Sequence, residues 1–323
     1  MRLIVLGTGA GGGCPQWNCG CENCNFARNN PESARTTDSL AIDYEQDGET
    51  CWAIVNPGVD LRHQLARHPE MRPPKGGALR QTPIRSVILT DGELDHTMGL
   101  INLREGARLK VFATASVLDL METAFPVRSV LRNYANLEFE RIIPGAPFFL
   151  GDSVRVTATG LSGRQPKYAA AKSLPSGRKD DENQGNIDAV IGLKFENTVE
   201  NADAIAYAPQ IGVWDRQVEA LLEGAAIILV DGTFYTSDEL CSLGVKAGSA
   251  EDMGHLPVAG QGGILAMLKE SKARVKLLTH INNTNPILRD NSPERQAVEN
   301  AGVKIAVDGM CFSTNKVGEK SRD

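Results

Sequence analysis

The run VILTDGELDHTMGL, Val87 to Leu100, carries an apolar strand straight into Asp91, Glu93, Asp95 and His96, four potential metal ligands within six positions. Three carboxylates beside an imidazole repel one another unless a cation or protons lie between them. Gly92 and Gly99 relax the backbone on either side, so that several of these side chains can turn inward. Two later strands end in the same manner: IILV runs into Asp231 and KLLT into His280. In layered α/β folds the carboxyl ends of the strands are where sites assemble. The expectation is one edge at which Asp91, Glu93, Asp95, His96, Asp231 and His280 converge as a catalytic metal site. Taken singly, a His or Asp after a strand is more often a hydrogen-bonded structural residue, and the case rests on the combination.

A second constellation is CGCENC, which packs Cys19, Cys21 and Cys24 into six residues. Three thiols this close are poorly suited to independent packing and well suited to one face of a tetrahedral zinc. Cys14 is a nearby candidate for the fourth ligand. The glycine run GTGAGGG fits G-x-G-x-x-G through Gly7, Gly9 and Gly12. A dinucleotide site needs a helix next, to meet the pyrophosphate with its N-terminus, and CPQWNCGC does not supply one. His63 and His68, five apart on an expected helix, read as surface residues.

The elements that must position these groups follow from periodicity. RLIVL, CWAIV, IRSVIL, LKVFA, DAVIGLKF, DAIAYA, AAIILV, VKLLT and VKIAV read as strands. DLRHQLARH, ASVLDLMETA, DRQVEALLEG, GGILAMLKES and SPERQAVENAG read as helices, the last opening near Ser292 and Glu294. Strands come first in hairpin-like succession and later alternate with helices, which predicts packed sheets covered by helices, an α/β architecture. PEMRPPKGGALRQTP and SGRQPKYAAAKSLPSGRKDDENQG read as loops. No linker or repeat divides the chain, so residues 1–323 are expected to form a single domain.

Composition bounds the function. With 323 residues, 41% of them hydrophobic, the chain can bury a large core, and a net charge of −6 offers no basic stripe for nucleic acid or an anionic membrane. No segment reaches the ~18 consecutive apolar residues of a membrane span. The first apolar run breaks at Gly7 without a small-residue cleavage site after it, so a cytoplasmic location is expected, with no membrane insertion. Seven cysteines in such a compartment argue for metal binding over disulfides.

The strand-end pattern resembles the metallo-β-lactamase superfamily, whose signature is T-H-x-H-x-D-H. TDGELDH keeps Thr90, Asp95 and His96, but Asp91 and Glu93 stand where two histidines belong, and no histidine lies between His96 and His255 to supply the third. The resemblance implies an αββα sandwich in which one metal position has lost its imidazoles. The other keeps Asp95, His96 and His280, with Asp231 as the usual bridging aspartate. Two histidines with carboxylates suit Fe(II) and leave positions open for oxygen chemistry; zinc or manganese are the other metals such a site accepts. Superfamily members with a cysteine loop after the first strand recruit a distant histidine as the fourth zinc ligand. This implies His255, in MGHLPV, in preference to Cys14, and makes that zinc a structural clip.

The resemblance narrows further. MRLIVLGTGAGGGCPQWNCGCENC, TDGELDHTMGL, NIDAVIGLKFE, YAPQIGVWD, DGTFY, MGHLPV and THINNTNPIL, in order along nearly the whole chain, are similar to the coenzyme PQQ synthesis protein B family. That family implies a place in the bacterial pathway that makes pyrroloquinoline quinone (PQQ) from a ribosomal peptide whose glutamate and tyrosine have been cross-linked. The implied partner is the precursor peptide, its proteolysed cross-linked Glu-Tyr product, or PQQ itself. One implied role is hydroxylation of the tyrosine ring by a non-haem iron centre, with Asp91 and Glu93 as further ligands or bases. Another is transport of PQQ or its precursor toward the periplasm, with Arg164 and Lys167 pairing with ligand carboxylates. A metal-dependent hydrolase is the third.

Overall fold

Burial on alternate residues sets the layers. In the strand Val275–Thr279, Val275 and Leu277 face one core cluster and Leu278 faces another; in the strand Ala225–Asp231, Ile227 and Leu229 divide from Ile228 and Val230 in the same way. Strands buried on both faces read as near-continuous apolar runs, and so IILV and KLLT, the latter broken only by the half-buried Lys276, are legible from the sequence.

The computed structural model describes residues 1–105, 108–134, 137–172, 188–199, 202–245 and 248–314. Among these, the strands are β1 (Arg2–Gly7), β2 (Ser39–Gln46), β3 (Glu49–Val55), β4 (Ile84–Ile88), β5 (Leu109–Thr114), β6 (Leu137–Ile142), β7 (Pro147–Leu150), β8 (Val154–Gly160), β9 (Ile191–Asn197), β10 (Ala204–Ala208), β11 (Ala225–Asp231), β12 (Val275–Thr279), β13 (Lys304–Ile305) and β14 (Cys311–Ser313). They form two sheets, ordered β14-β1-β2-β3-β4-β5-β6 and β13-β12-β11-β10-β9-β8-β7. In each sheet an antiparallel half meets a parallel half: β3 to β6 run parallel in the first, β10 to β13 in the second.

The sheets face one another across Leu3, Val5, Leu40, Ile42, Val55, Leu193, Phe195, Ile205 and Leu277. Helices cover the outer faces. Arg216–Leu222, Ile264–Leu268 and Pro293–Asn300 pack Val218, Leu221, Ile264, Leu268 and Val298 on the second sheet. Leu61–Arg67 and Ala115–Thr123 pack Leu61, Val117 and Met121 on the first. The result is the αββα sandwich. Ser292 caps the last helix, its Oγ accepting from the Arg295 N–H at 3.0 Å.

Several elements escape the periodicity. β2, SLAIDYEQ, is interrupted by Asp43, which the buried sheet tolerates because it accepts hydrogen bonds from the backbone N–H and the guanidinium of Arg2, each at 2.5 Å. β6, LEFERI, is half-exposed, and its charges conceal a strand. The helix Glu22–Asn29 starts within the cysteine segment. VKIAV forms only the two-residue β13. His68 is buried at a helix C-cap, not on the surface. Of the long polar loop after Leu161, residues 162–172 are described, with a 3-10 turn over Lys167–Lys172, and the rest lies outside the described residues. No helix among the described residues is long and apolar enough to cross a membrane.

Candidate metal centre

The parallel halves of the two sheets point their carboxyl ends at one edge. β4 leads through Thr90 into Asp91 and a short helix, Leu94–Thr97; β11 ends on Asp231; β12 leads into His280, held at a φ of 54°. His280 is donated to the site by the second sheet and His96 by the first.

Asp91 is fully buried. Its two oxygens lie 2.9 and 2.8 Å from Nδ1 of His96, and it also accepts from the Glu93 N–H at 2.9 Å and the Thr90 hydroxyl at 2.8 Å. Thr90 is itself clamped by Asn56, which donates Nδ2 to its Oγ1 at 2.8 Å and accepts its N–H at 3.0 Å. Asp91 therefore orients an imidazole. Nε2 of His96, on the far side of the ring, is buried and has no hydrogen-bond partner.

That orphaned nitrogen faces Asp95, with Oδ2 3.8 Å away, and the same oxygen is 3.5 Å from Nε2 of His280. The two rings meet edge-on, centroids 5.3 Å apart. Asp95, His96 and His280 thus each direct one ligand atom at a common point, all within 4.8 Å of one another. Nδ1 of His280 lies 2.8 Å from Thr233 Oγ1, which is 2.7 Å from Asp231. The arrangement that satisfies these atoms has Nδ1–H of His280 donating to Thr233 and the Thr233 hydroxyl donating to Asp231, which leaves Nε2 as the ligand.

The electrostatics mark the same point. Burial opposes charge on His96, but Asp91 and Asp95 outweigh it and hold the ring protonated up to about 10. Burial likewise opposes charge on Asp95, and His96 and His280 overcome it, keeping that carboxyl below its usual range. Glu93 goes the other way, pushed up to about 7 by burial and then by Asp91 and Asp95. A buried nitrogen without a partner, held cationic by ionised carboxylates, fits a divalent cation that would replace its proton.

The remaining predicted residues are placed differently. Asp231 has both oxygens committed: Oδ1 accepts from the Thr233 N–H at 3.0 Å and its hydroxyl, and Oδ2 accepts from the Ile211 N–H at 2.9 Å and from Nδ1 of His255 at 2.8 Å. It anchors His255 and Thr233 and is not turned toward His96. Asp91 supports a ligand from behind, and Glu93 is not among the groups that converge.

His255 is a correction. The resemblance assigns it to the cysteines, but its ring stacks on His280, centroids 5.4 Å apart, with Phe234 edge-on at 5.9 Å. The reason lies in the backbone. Leu256 N–H donates to Ile211 at 2.6 Å and Val258 N–H to Phe234 at 2.9 Å, pinning MGHLPV across the ends of β10 and β11, beside Asp231. Asp231, His255 and His280 form a second buried group that shares His280 with the first.

At the other constellation the sulfurs of Cys19, Cys21 and Cys24 do converge. Cys21 is the N-cap of Glu22–Asn29 and Cys24 lies in its first turn. Burial pushes the Cys21 thiol up to about 11. Cys14 packs against this cluster but is not one of the three. The side chain that faces all three sulfurs is Asn283, whose amide nitrogen lies 3.1 Å from Cys19, 3.2 Å from Cys24 and 3.6 Å from Cys21. Its own backbone carbonyl is held at 2.9 Å by Asn23 of the cysteine helix. Asn283 follows His280 by three positions, in the turn HINNTN.

Known proteins share this plan. A family model described as a beta-lactamase superfamily domain matches residues 51–281. The coenzyme PQQ synthesis protein B of Klebsiella pneumoniae (strain 342) is 37% identical over 318 residues, 97% of this chain and 98% of that one. The protein of the same description from Cupriavidus taiwanensis is 40% identical over 314 residues, covering 95% and 98%. Among solved structures, zinc-bound PqqB from Methylobacterium extorquens superposes with a TM-score of 0.84 at 31% identity, over 97% of this chain and 100% of that one. A diphosphatase of the PhnP family, 18% identical over 97% of each chain with a TM-score of 0.65, shares the fold. Similarity that spans both sheets, the cysteine loop and the altered strand-end motif makes this chain a member of the coenzyme PQQ synthesis protein B family, with the metallo-β-lactamase fold and a role in PQQ biosynthesis.

Proposed function

We propose that the chain catalyses an oxygen-dependent step of PQQ biosynthesis, hydroxylation of the tyrosine ring of the peptide-derived precursor, with ferrous iron held by Asp95, His96 and His280. The observation that carries this reading is the donor set: two imidazole Nε2 atoms and one carboxylate oxygen, with no third imidazole joining that group among the described residues. Two histidines and a carboxylate leave coordination positions open, the arrangement of non-haem Fe(II) oxygenases, whereas zinc hydrolysis favours more nitrogen donors. Asp95, His96 and His280 would hold the iron, which would supply the redox chemistry that activates O₂. In the overall reaction one oxygen atom replaces a ring hydrogen as hydroxyl and the other becomes water, with two electrons from an external reductant and two protons from solvent.

The chain's own residues hold and shield. Asp91 fixes the ring of His96, and Thr233 fixes that of His280. His96 and His280 are buried and only Asp95 is partly exposed, so the opening lies on its side. The glycine-rich loop runs past that opening: a Cβ on Gly11 would come within 3.4 Å of the Asp95 carboxylate. Cys19, Cys21 and Cys24 bring three sulfurs together, the donor set that suits zinc.

The test supplies iron-loaded protein and a reductant with a tyrosine-containing pathway intermediate under labelled O₂ and weighs the product. One labelled oxygen per hydroxylation is expected, lost in His96→Ala and His280→Ala. Equal product under nitrogen, or oxygen drawn only from water with exchange excluded, overturns the assignment and favours a hydrolase.

A further inference from the structure

The sulfurs of Cys19, Cys21 and Cys24 lie within 4.8 Å of one another and would supply three corners of a tetrahedral zinc site, and the fourth corner is not occupied by either residue that the sequence brings forward. His255 is tied to Asp231 and stacked on His280. The Cys14 sulfur is outside the converging group, and among the described residues no other histidine, cysteine or carboxylate joins it. What faces the cluster is the carboxamide of Asn283, 5% exposed and nearly equidistant from the three sulfurs.

We propose that Asn283 is the fourth ligand of a zinc centre in this cluster, coordinating through its side-chain carbonyl oxygen. The two ends of a carboxamide exchange places by a half-turn about one bond, and their assignment follows from their partners. An NH₂ group has two hydrogens and meets three sulfurs here. A carbonyl oxygen aimed at a cation centred among the sulfurs needs one bond only. Zinc–sulfur bonds of about 2.3 Å and zinc–oxygen bonds of about 2.0–2.2 Å set the sulfur-to-oxygen edge of a tetrahedron near ~3.5 Å. The amide atom that faces the sulfurs lies at 3.1, 3.2 and 3.6 Å, at that edge.

The surroundings fix the backbone that carries the amide. Asn23, in the helix that carries Cys24, donates Nδ2 to the backbone carbonyls of Asn283 and Asn285 at 2.9 and 2.8 Å. Nδ2 of Asn285 in turn donates to the Gly232 and Thr233 carbonyls at 2.9 and 3.2 Å. The zinc so bound joins the loop after β1 to the segment after β12 that begins with His280.

The experiment uses the full chain and reads zinc, not turnover. Zinc-edge X-ray absorption on the full chain carrying His96→Ala and His280→Ala, which disables the other metal centre, should show three sulfurs and one oxygen; four sulfurs would place Cys14 in the site and overturn the proposal. Competition with a chromophoric chelator should show zinc bound tenfold or more weakly in Asn283→Ala. Asn283→Asp, which keeps an oxygen at that position, should bind at least as tightly as wild type, and Cys14→Ser should be unchanged. An amide acting only as a hydrogen-bond donor predicts the reverse for Asn283→Asp, since a carboxylate repels the thiolates it replaces a donor for. Unaltered zinc affinity in Asn283→Ala, or an equal loss in Asn283→Asp, refutes the ligand assignment. None of these outcomes depends on iron or on the oxygenase reading.

Discussion

Asp91 lays both carboxylate oxygens against Nδ1 of His96, at 2.9 and 2.8 Å, and leaves Nε2 of that ring buried without a partner. A carboxylate so placed fixes the ring and raises its basicity as a ligand. Asp91→Asn is therefore expected to weaken metal binding at Asp95, His96 and His280 by about 10–100-fold with the fold retained. Iron titration of the variant, followed by spectroscopy and circular dichroism, checks it; wild-type affinity would show that Asp91 does not position the ring.

Without metal, His96 stays protonated up to about 10, above the ordinary 6.5. Metal uptake near neutral pH must then expel that proton. At least one proton per chain should appear in a weakly buffered dye assay, and affinity should rise about tenfold per pH unit per proton displaced. In the metal-free protein the raised value contributes stability that is complete below 6.5 and lost as pH climbs through 10. Its melting temperature should fall across that window, and a flat profile of both affinity and melting speaks against the assignment.

Gly58 admits no side chain. A Cβ there would sit 2.2 Å from Thr37 Oγ1 and 2.3 Å from the backbone carbonyl of Asp95. A backbone carbonyl cannot yield without carrying the short helix with it. Gly58→Ala should cost about 1–3 kcal/mol and displace Asp95, lowering iron affinity as well. Gly20, whose Cβ would meet nothing within 4 Å, is the control: Gly20→Ala should match wild type in chemical denaturation and in metal content.

Tyr207 donates its hydroxyl to the buried carboxylate of Asp38, which also accepts from the Thr279 hydroxyl and, at 3.3 Å, the His280 N–H. Tyr207→Phe removes one donor from a carboxylate that is fully buried. A loss of about 1–3 kcal/mol is expected, measured by urea unfolding, with iron affinity reduced because Asp38 also holds the backbone of His280. Unchanged stability would mean that the hydrogen bond from Tyr207 to Asp38 adds nothing to the folded state.

The convergence of Asp95, His96 and His280 is legible because each follows a strand whose two faces are both buried, and such strands announce themselves as near-continuous apolar runs. Asp91 looks like a ligand in the sequence for the same reason; only the geometry of the turn into Leu94–Thr97 shows that it bends onto Nδ1 of His96. His255 is not legible. Its place depends on backbone bonds from Leu256 and Val258 to Ile211 and Phe234, in segments distant along the chain. Asn283 escapes because asparagine is common in turns, and its neighbours across the fold are what distinguish it. The polar strands β2 and β6 are missed because their charged residues find partners in three dimensions that periodicity cannot supply.

Asp95 and His96 hang from the first sheet and His280 from the second. During synthesis, the first two ligands leave the ribosome long before the strand that carries the third is made. A single histidine and one carboxylate hold divalent metal only weakly, so a nascent chain passes its early life without a competent site. Asp95, His96 and His280 can therefore act together on a cation only once β12 is in place, whichever metal the centre takes.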